Sequence, residues 1–401
     1  MSNNLSISQR VNNMQASPIR RLVPLSDKAK KRGLKVYHLN IGQPDITTPD
    51  EIMESIKNFN EKVLSYGPSL GLLELRTELR KYFEKLDILL SEEDIMVTTG
   101  GSEAIIFAMM TITDPFDEIL VPEPFYTNYN GFAAMSSIKI VPVPTSVEDG
   151  YSIPKKEEFL KRITPKTKAI LYCSPNNPTG TVLSKEDIEM LVSIAKEYNL
   201  WILSDEVYRE FIYDNMTHTS ILHIKGCEDR VIMLDSISKR FSACGARIGC
   251  VVCKNKDVMN GMLKLGQARL CPPTIEQMGA IAAYKNVDKI VEKMIPEYEK
   301  RRNIVCEELS KINGVIFKKP TGAFYIMPKL PIDDANKFAR WMLTEFSIDG
   351  ATTMIAPGDG FYATEGKGKQ EIRIAYVLKE TDLKHAMNIL VKGIEEYNKR
   401  I

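Results

Sequence analysis

Between residues 90 and 255, short continuous apolar runs alternate with stretches whose apolar residues recur at helical spacing. The runs Asp94–Thr98, Glu118–Val121, Ile138–Val143, Lys168–Cys173, Leu200–Leu203, Val231–Leu234 and Ile248–Cys253 read as strands. Glu103–Thr111 and Lys185–Tyr198 read as helices, the second opened by Ser184 and Asp187 in a capping-box pattern. A strand that is apolar at consecutive positions has to be covered on both faces. The rhythm therefore predicts an α/β fold, with a mainly parallel sheet sandwiched between helices. From Asn286 to Ile312 the pattern is one long helix, punctuated by Pro296 and stopped by Gly314. Short strands follow at Val315–Phe317, Ala323–Met327 and Glu371–Val377, with helices over Ala335–Phe346 and from Asp382 onward. That change of composition predicts a second, smaller α+β domain.

Several function classes are excluded by composition. Lys and Arg number 53 against 52 Asp and Glu, so no global basic field exists to recruit nucleic acid or an anionic membrane. Only four His are present, and the seven Cys show no framework spacing. The close pair Cys250 and Cys253 lies in a strand, where residues three apart point to opposite faces. No metal site is expected, and the thiols are expected to be buried and reduced. Met1–Gln15 is polar, and no apolar run approaches the ~18 residues of a membrane span. The expectation is a cytoplasmic globular enzyme or binding protein without a membrane partner.

Ligands of an open parallel sheet bind at the carboxyl ends of its strands. After Asp94–Thr98 comes Thr99-Gly100-Gly101-Ser102, glycines that open a helix and offer an anion site. After Lys168–Cys173 comes Ser174-Pro175-Asn176-Asn177-Pro178-Thr179-Gly180. Asp205, Glu206 and Tyr208 follow Leu200–Leu203; Asp235, Ser236, Ser238 and Lys239 follow Val231–Leu234, with Arg247 beyond. An anion cradle, an amide, a carboxylate, a phenol, a lysine and an arginine thus meet on one edge. Together they match pyridoxal phosphate, which needs a lysine for its Schiff base and an anion beside its pyridinium nitrogen. Its phosphate needs N–H groups, hydroxyls and an arginine fork.

The stretch Ser236-Ile237-Ser238-Lys239 with Phe241, Gly245, Arg247 and Gly249 resembles the signature of the class I/II aminotransferases, the fold-type I pyridoxal-phosphate enzymes. Asn177-Pro178-Thr179-Gly180, Asp205 with Tyr208, Asn40–Asp45, Tyr66–Gly71 and Arg373 agree in the family's order. The resemblance implies that Lys239 forms the Schiff base and shuttles a proton at the substrate α-carbon. It further implies that Asp205 holds the pyridinium N–H and that Asn177 and Tyr208 bond the cofactor's 3′-oxygen. Gly101, Ser102, Ser236 and Arg247 would hold the phosphate, with Tyr66 reaching the phosphate of a neighbouring subunit. Tyr126 would stack on the pyridine ring, with Phe125 the competing choice. Arg373 would clamp the substrate α-carboxylate, helped by the Gly42 backbone and Asn177. The remaining candidates read as structural: Glu206 as a helix cap, and Arg20-Arg21 and Arg301-Arg302 as surface or interface charge. Arg269 reads as structural too, and is otherwise the leading candidate for a contact to a substrate side-chain carboxylate.

The implied architecture is a seven-stranded-type large domain over 48–288. A small domain would be built from 1–47 and 289–401, and two subunits would share their sites in a homodimer. The implied reaction transfers an α-amino group from an amino acid to a 2-oxo acid such as 2-oxoglutarate, with aspartate the first expectation. Relatives specific for dicarboxylates often place a basic residue in the phosphate loop, where this chain has Ser102-Glu103. Alanine, aromatic or broad specificity, and a carbon–sulfur β-lyase reaction, are the alternatives.

Overall fold

The computed structural model describes residues 5–12 and 14–400; positions 1–4 and 13 of the polar N-terminal stretch, and residue 401, lie outside it. Seven strands make one sheet, in the spatial order Ile95–Thr98, Gly249–Val252, Val231–Ser236, Trp201–Asp205, Thr167–Cys173, Glu118–Glu123 and Lys139–Pro144. All neighbours are parallel except Gly249–Val252, which runs antiparallel to the strands on both of its sides.

Consecutive apolar residues are needed because each strand feeds two cores. Ile170 and Tyr172 join one, while Ala169 and Leu171 join the other; Val231 and Met233 are divided in the same way from Ile232 and Leu234. Cys250 lies in the first core and Cys253 in the second, so the two thiols are on opposite faces. Gly100–Ile112 and Lys256–Arg269 contribute to the second core, whereas Leu73–Glu84, Lys185–Glu197 and Thr274–Lys285 contribute to the first. The Ser184 cap forms as expected, its hydroxyl accepting from Asp187 N–H at 3.1 Å while Asp187 accepts from Ser184 N–H at 2.9 Å. Among the described residues no helix is long and apolar enough to cross a membrane.

The carboxyl-terminal third keeps the expected long helix and departs from expectation in two places. The long helix runs Val287–Leu309 with Pro296 inside it, preceded by a separate helix, Thr274–Lys285. Proline removes one helical hydrogen bond, and the buried Ile290, Met294, Tyr298 and Val305 hold the helix through it. Val315–Phe317 forms no strand; Ile316 makes only an isolated bridge to Lys329. A strand at Ala351–Met354, unmarked in the sequence, pairs in parallel with Lys35–His38 and so ties the N-terminal segment to the C-terminal part. Its Thr352 and Thr353 are fully buried, their hydroxyls donating to Met342 C=O at 2.7 Å and Ala386 C=O at 2.9 Å.

Arg301 and Arg302 are not surface charge. Both are buried, Arg301 against Asp45 at 2.6 Å and Glu297 at 2.8 Å, Arg302 against Asp214 at 2.7 Å and Glu299 at 3.1 Å. A charge this deep stays in place only when it is paired.

Candidate active site

Register assembles the site. Gly249 pairs with Thr98 on one side and with Ser236 on the other. Because its strand runs backward, the start of that strand lies beside the ends of its two neighbours. Arg247, Ser236 and the turn after Thr98 therefore share one edge of the sheet. Gly100 has φ +72°, and a Cβ there would fall 2.3 Å from an Arg247 guanidinium nitrogen. A Cβ on Gly249 would fall 2.6 Å from the Gly100 carbonyl carbon. These two glycines let the turn, the strand and the guanidinium meet. The first N–H groups of the helix Gly100–Ile112 have no intrahelical partner and carry partial positive charge. Glu103 accepts from the Thr99 N–H at 2.8 Å and so caps this turn from within.

A cavity of about 440 Å³ opens over that edge. Gly42, Gly101, Ser102, Tyr126, Asn177 and Asp205 line it, as do Tyr208, Ser236, Lys239, Arg247 and Arg373. Lys239, in the short helix Ile237–Arg240, donates from Nζ to Gly42 C=O at 2.7 Å. Asp205 ends the central strand Trp201–Asp205 and is buried. Burial pushes its carboxyl up to about 6, against the Tyr129 hydroxyl, which donates to Oδ2 at 2.6 Å and pulls the other way. Tyr208 and Tyr325 share a hydrogen bond between hydroxyls at 2.9 Å. Arg373 is 1% exposed and lies over the Tyr325 ring at 4.6 Å. Its guanidinium donates to Asn177 Oδ1 at 2.9 Å and to Asn40 C=O at 2.5 Å. No carboxylate pairs with it among the described residues, and its Nε has no partner.

Of the two ring candidates, Tyr126 lines the cavity, while Phe125 is buried behind it with its N–H on Phe361 C=O. Tyr66 is 81% exposed and is not among the lining residues. Arg269 is turned away from the cavity, to Ser69 C=O, Val97 C=O and Glu103. Glu206 is no simple cap. It anchors a buried cluster, bonding Arg209 and His218 at 3.0 Å each and the Ile221 N–H at 3.0 Å. Burial raises its carboxyl, and Arg209 and His218 outweigh that and bring it down to about 2. Arg20 is exposed, as expected, and also lines the cavity. Tyr129 and Tyr325 went unrecognised in the sequence, and Asn40 was marked only as part of the segment Asn40–Asp45, with no role of its own. Of the two tyrosines only Tyr129 carried a signal there, since it stands three residues after Tyr126 and so falls on the same side of a helical turn.

The family aminotransferase class I and II matches residues 35–390. The chain belongs to the class I and II aminotransferases. An aromatic-amino-acid aminotransferase of Thermococcus litoralis is 33% identical, covering 98% of this chain and 99% of the relative. An aspartate aminotransferase of Pyrococcus abyssi is 33% identical over the same shares. The structure of an alanine aminotransferase from Pyrococcus furiosus superposes with a TM-score of 0.89 at 30% identity, covering 98% of this chain and all of that one. Aminotransferases of this family use pyridoxal 5′-phosphate, and the residues here suit that group. A helix N-terminus, Ser236 and Arg247 meet at the sheet edge, and a buried carboxylate with a raised pKa and a lysine amine line the same cavity. The expected fold class, the cofactor and the aminotransferase activity thus stand, and the three relatives carry three different specificities.

Proposed function

We propose that this aminotransferase works on α-amino acids and 2-oxo acids in the cavity under Lys239, with Arg373 receiving the α-carboxylate. One observation carries the reading. Arg373 is a buried guanidinium with no anion beside it and an unpartnered Nε. A desolvated cation of this kind has strong need of a carboxylate, and the planar fork accepts one in two parallel hydrogen bonds. Asn177 and Asn40 hold the fork in orientation from behind. Since the Asn177 oxygen is committed to Arg373, its amide NH₂ remains free to donate to a cofactor oxygen, beside the Tyr208 hydroxyl.

When bound, pyridoxal phosphate supplies an aldehyde that takes up the amino group and a protonated ring that draws electrons from the α-carbon. The protein's own groups do the rest. Gly101, Ser102, Ser236 and Arg247 hold the phosphate, and Asp205 keeps the ring nitrogen protonated by lying beside it as an anion. The Tyr126 ring would pack against the cofactor ring. Lys239 Nζ would take the proton from the substrate α-carbon and deliver it to the carbon of the cofactor that carries the amino group. The Gly42 carbonyl, which holds Nζ at 2.7 Å in this structure, gives the amine a second resting place.

We also propose the division into a large domain over 48–288 and a small one over 1–47 and 289–401. The strand pairing of Lys35–His38 with Ala351–Met354 supports it. A homodimer in which Tyr66 completes the partner's phosphate site accords with its exposure beside Val63 and Leu64. Aspartate with 2-oxoglutarate is the substrate pair proposed first.

Lys239→Ala should remove the long-wavelength absorption of the bound cofactor and all transamination while far-ultraviolet circular dichroism is retained. Turnover in that variant would refute the assignment. Arg373→Leu should weaken binding of every amino acid by at least about 2 kcal/mol. Loss confined to one class of side chain would mean that Arg373 reads the side chain instead.

A further inference from the structure

The charged groups that border the cavity are Arg20, Asp205, Asp235, Lys239, Arg247 and Arg373. Five of them have counterparts. Asp235 is held by Arg240 in two hydrogen bonds of 3.1 and 2.8 Å. Asp205, Lys239 and Arg247 are taken by the cofactor ring, the amine chemistry and the phosphate, and Arg373 by the α-carboxylate. Arg20 is left. Among the described residues its side chain makes no hydrogen bond and no ion pair.

Its neighbours, by contrast, are fixed. Pro18 packs so closely on Gly360 that a Cβ there would lie 2.2 Å from the proline Cβ. Ile19 packs with Phe361, Tyr362 and Met327, and its carbonyl accepts from Asn40 Nδ2 at 3.2 Å. Arg21 pairs with Asp359 at 2.8 Å and also bonds Asn336. Asn40 is the residue whose own carbonyl holds Arg373. One residue therefore couples the α-carboxylate clamp to the backbone next to Arg20. The segment is held on both sides of Arg20, and Arg20, itself exposed, is the member of it that is charged, unpaired among the described residues and at the cavity.

We propose that Arg20 is a specificity-determining residue that binds the side-chain carboxylate of dicarboxylic substrates, which makes aspartate or glutamate and their 2-oxo acids the preferred partners. The proposal rests on Arg373 holding the α-carboxylate. It also accounts for a phosphate loop without a basic residue. Glu103 is committed to Thr99 and Arg269, so the second cation would come from the N-terminal segment, which lines the same cavity.

The test compares Arg20→Met and Arg20→Lys with the parent holoenzyme on aspartate, glutamate and alanine. Arg20→Met should lower kcat/KM for the dicarboxylic donors at least roughly tenfold more than for alanine, mainly through KM. Arg20→Lys should restore part of that ratio. Succinate and propionate binding to the holoenzyme, measured by calorimetry, should show the same shift in ratio without turnover. An unchanged ratio in Arg20→Met, in kinetics and in calorimetry, overturns the proposal. Arg373→Leu separates the two readings, since it should weaken propionate as well as succinate. If propionate is unaffected there, the α-carboxylate assignment falls whatever Arg20 does.

Discussion

Asp205 is a carboxyl group held away from water beside a phenol, and its protonation should govern how well the ring of the cofactor is held. Its pKa is raised by burial to about 6, from an ordinary value of 3.8. A carboxyl whose folded pKa is raised favours the folded state at low pH and loses that contribution as pH climbs through the folded value. Above pH 6 Asp205 is therefore a buried anion, and a bound pyridinium would relieve it. Cofactor affinity should rise as pH goes from 5 to 7, and Asp205→Asn should flatten the part of that rise not due to the phosphate; fluorescence titration of the cofactor-free protein measures both. Tyr129→Phe removes a hydrogen bond that lowers the Asp205 pKa, so the rise should move upward by roughly one unit. An unshifted profile would mean that the phenol is mere packing. Asp205, Lys239 and Arg247 were legible because strand-end position and residue chemistry point to the same place. Tyr325 was not: its strand was read within Ala323–Met327, but that strand lies outside the seven-stranded sheet whose strand ends mark the site, and Tyr325 reaches Tyr208 across the fold.

At the scale of elements, the crossing of the Gly100 turn and the Gly249 strand leaves no room for a side chain at either glycine. A methyl group on Gly249 would meet backbone on both sides, at 2.6 Å from Gly100 and 2.8 Å from Asp235 C=O. Gly249→Ala should destabilise the protein by about 1–3 kcal/mol, the usual cost of overpacking, and weaken the cofactor phosphate along with it. Thermal denaturation and cofactor titration check the two effects; a stable variant that binds normally would show that the crossing can relax. The strands of the sheet were legible to within a few residues because two-sided burial leaves unbroken apolar runs. Ala351–Met354 was hidden for the opposite reason, since its two threonines satisfy their hydroxyls on Met342 and Ala386 and so look polar only in the sequence. Val315–Phe317 carried the right letters and found no partner strand.

Across the whole molecule, Arg301 ties three distant parts together. It pairs with Asp45 near the N-terminus and Glu297 on its own helix, and donates to the Val377 carbonyl near the C-terminal helix. Arg301→Leu should cost about 2 kcal/mol, less than a fully buried pair because both carboxylates keep about a third of their exposure. Denaturant unfolding measures it, and a neutral result would mean that leucine packing offsets the lost ion pairs. The backward strand has a consequence for the order in which the molecule is built. Its pairing with Val231–Ser236 closes only over residues 237–248, whereas its pairing with Ile95–Thr98 closes over residues 99–248. Short loops close at low entropic cost and long ones await the rest of the fold. The segment with Lys239 and Arg247 is thus a local hairpin. It can take shape early in folding, ready-made, before the other half of the phosphate cradle arrives to meet it.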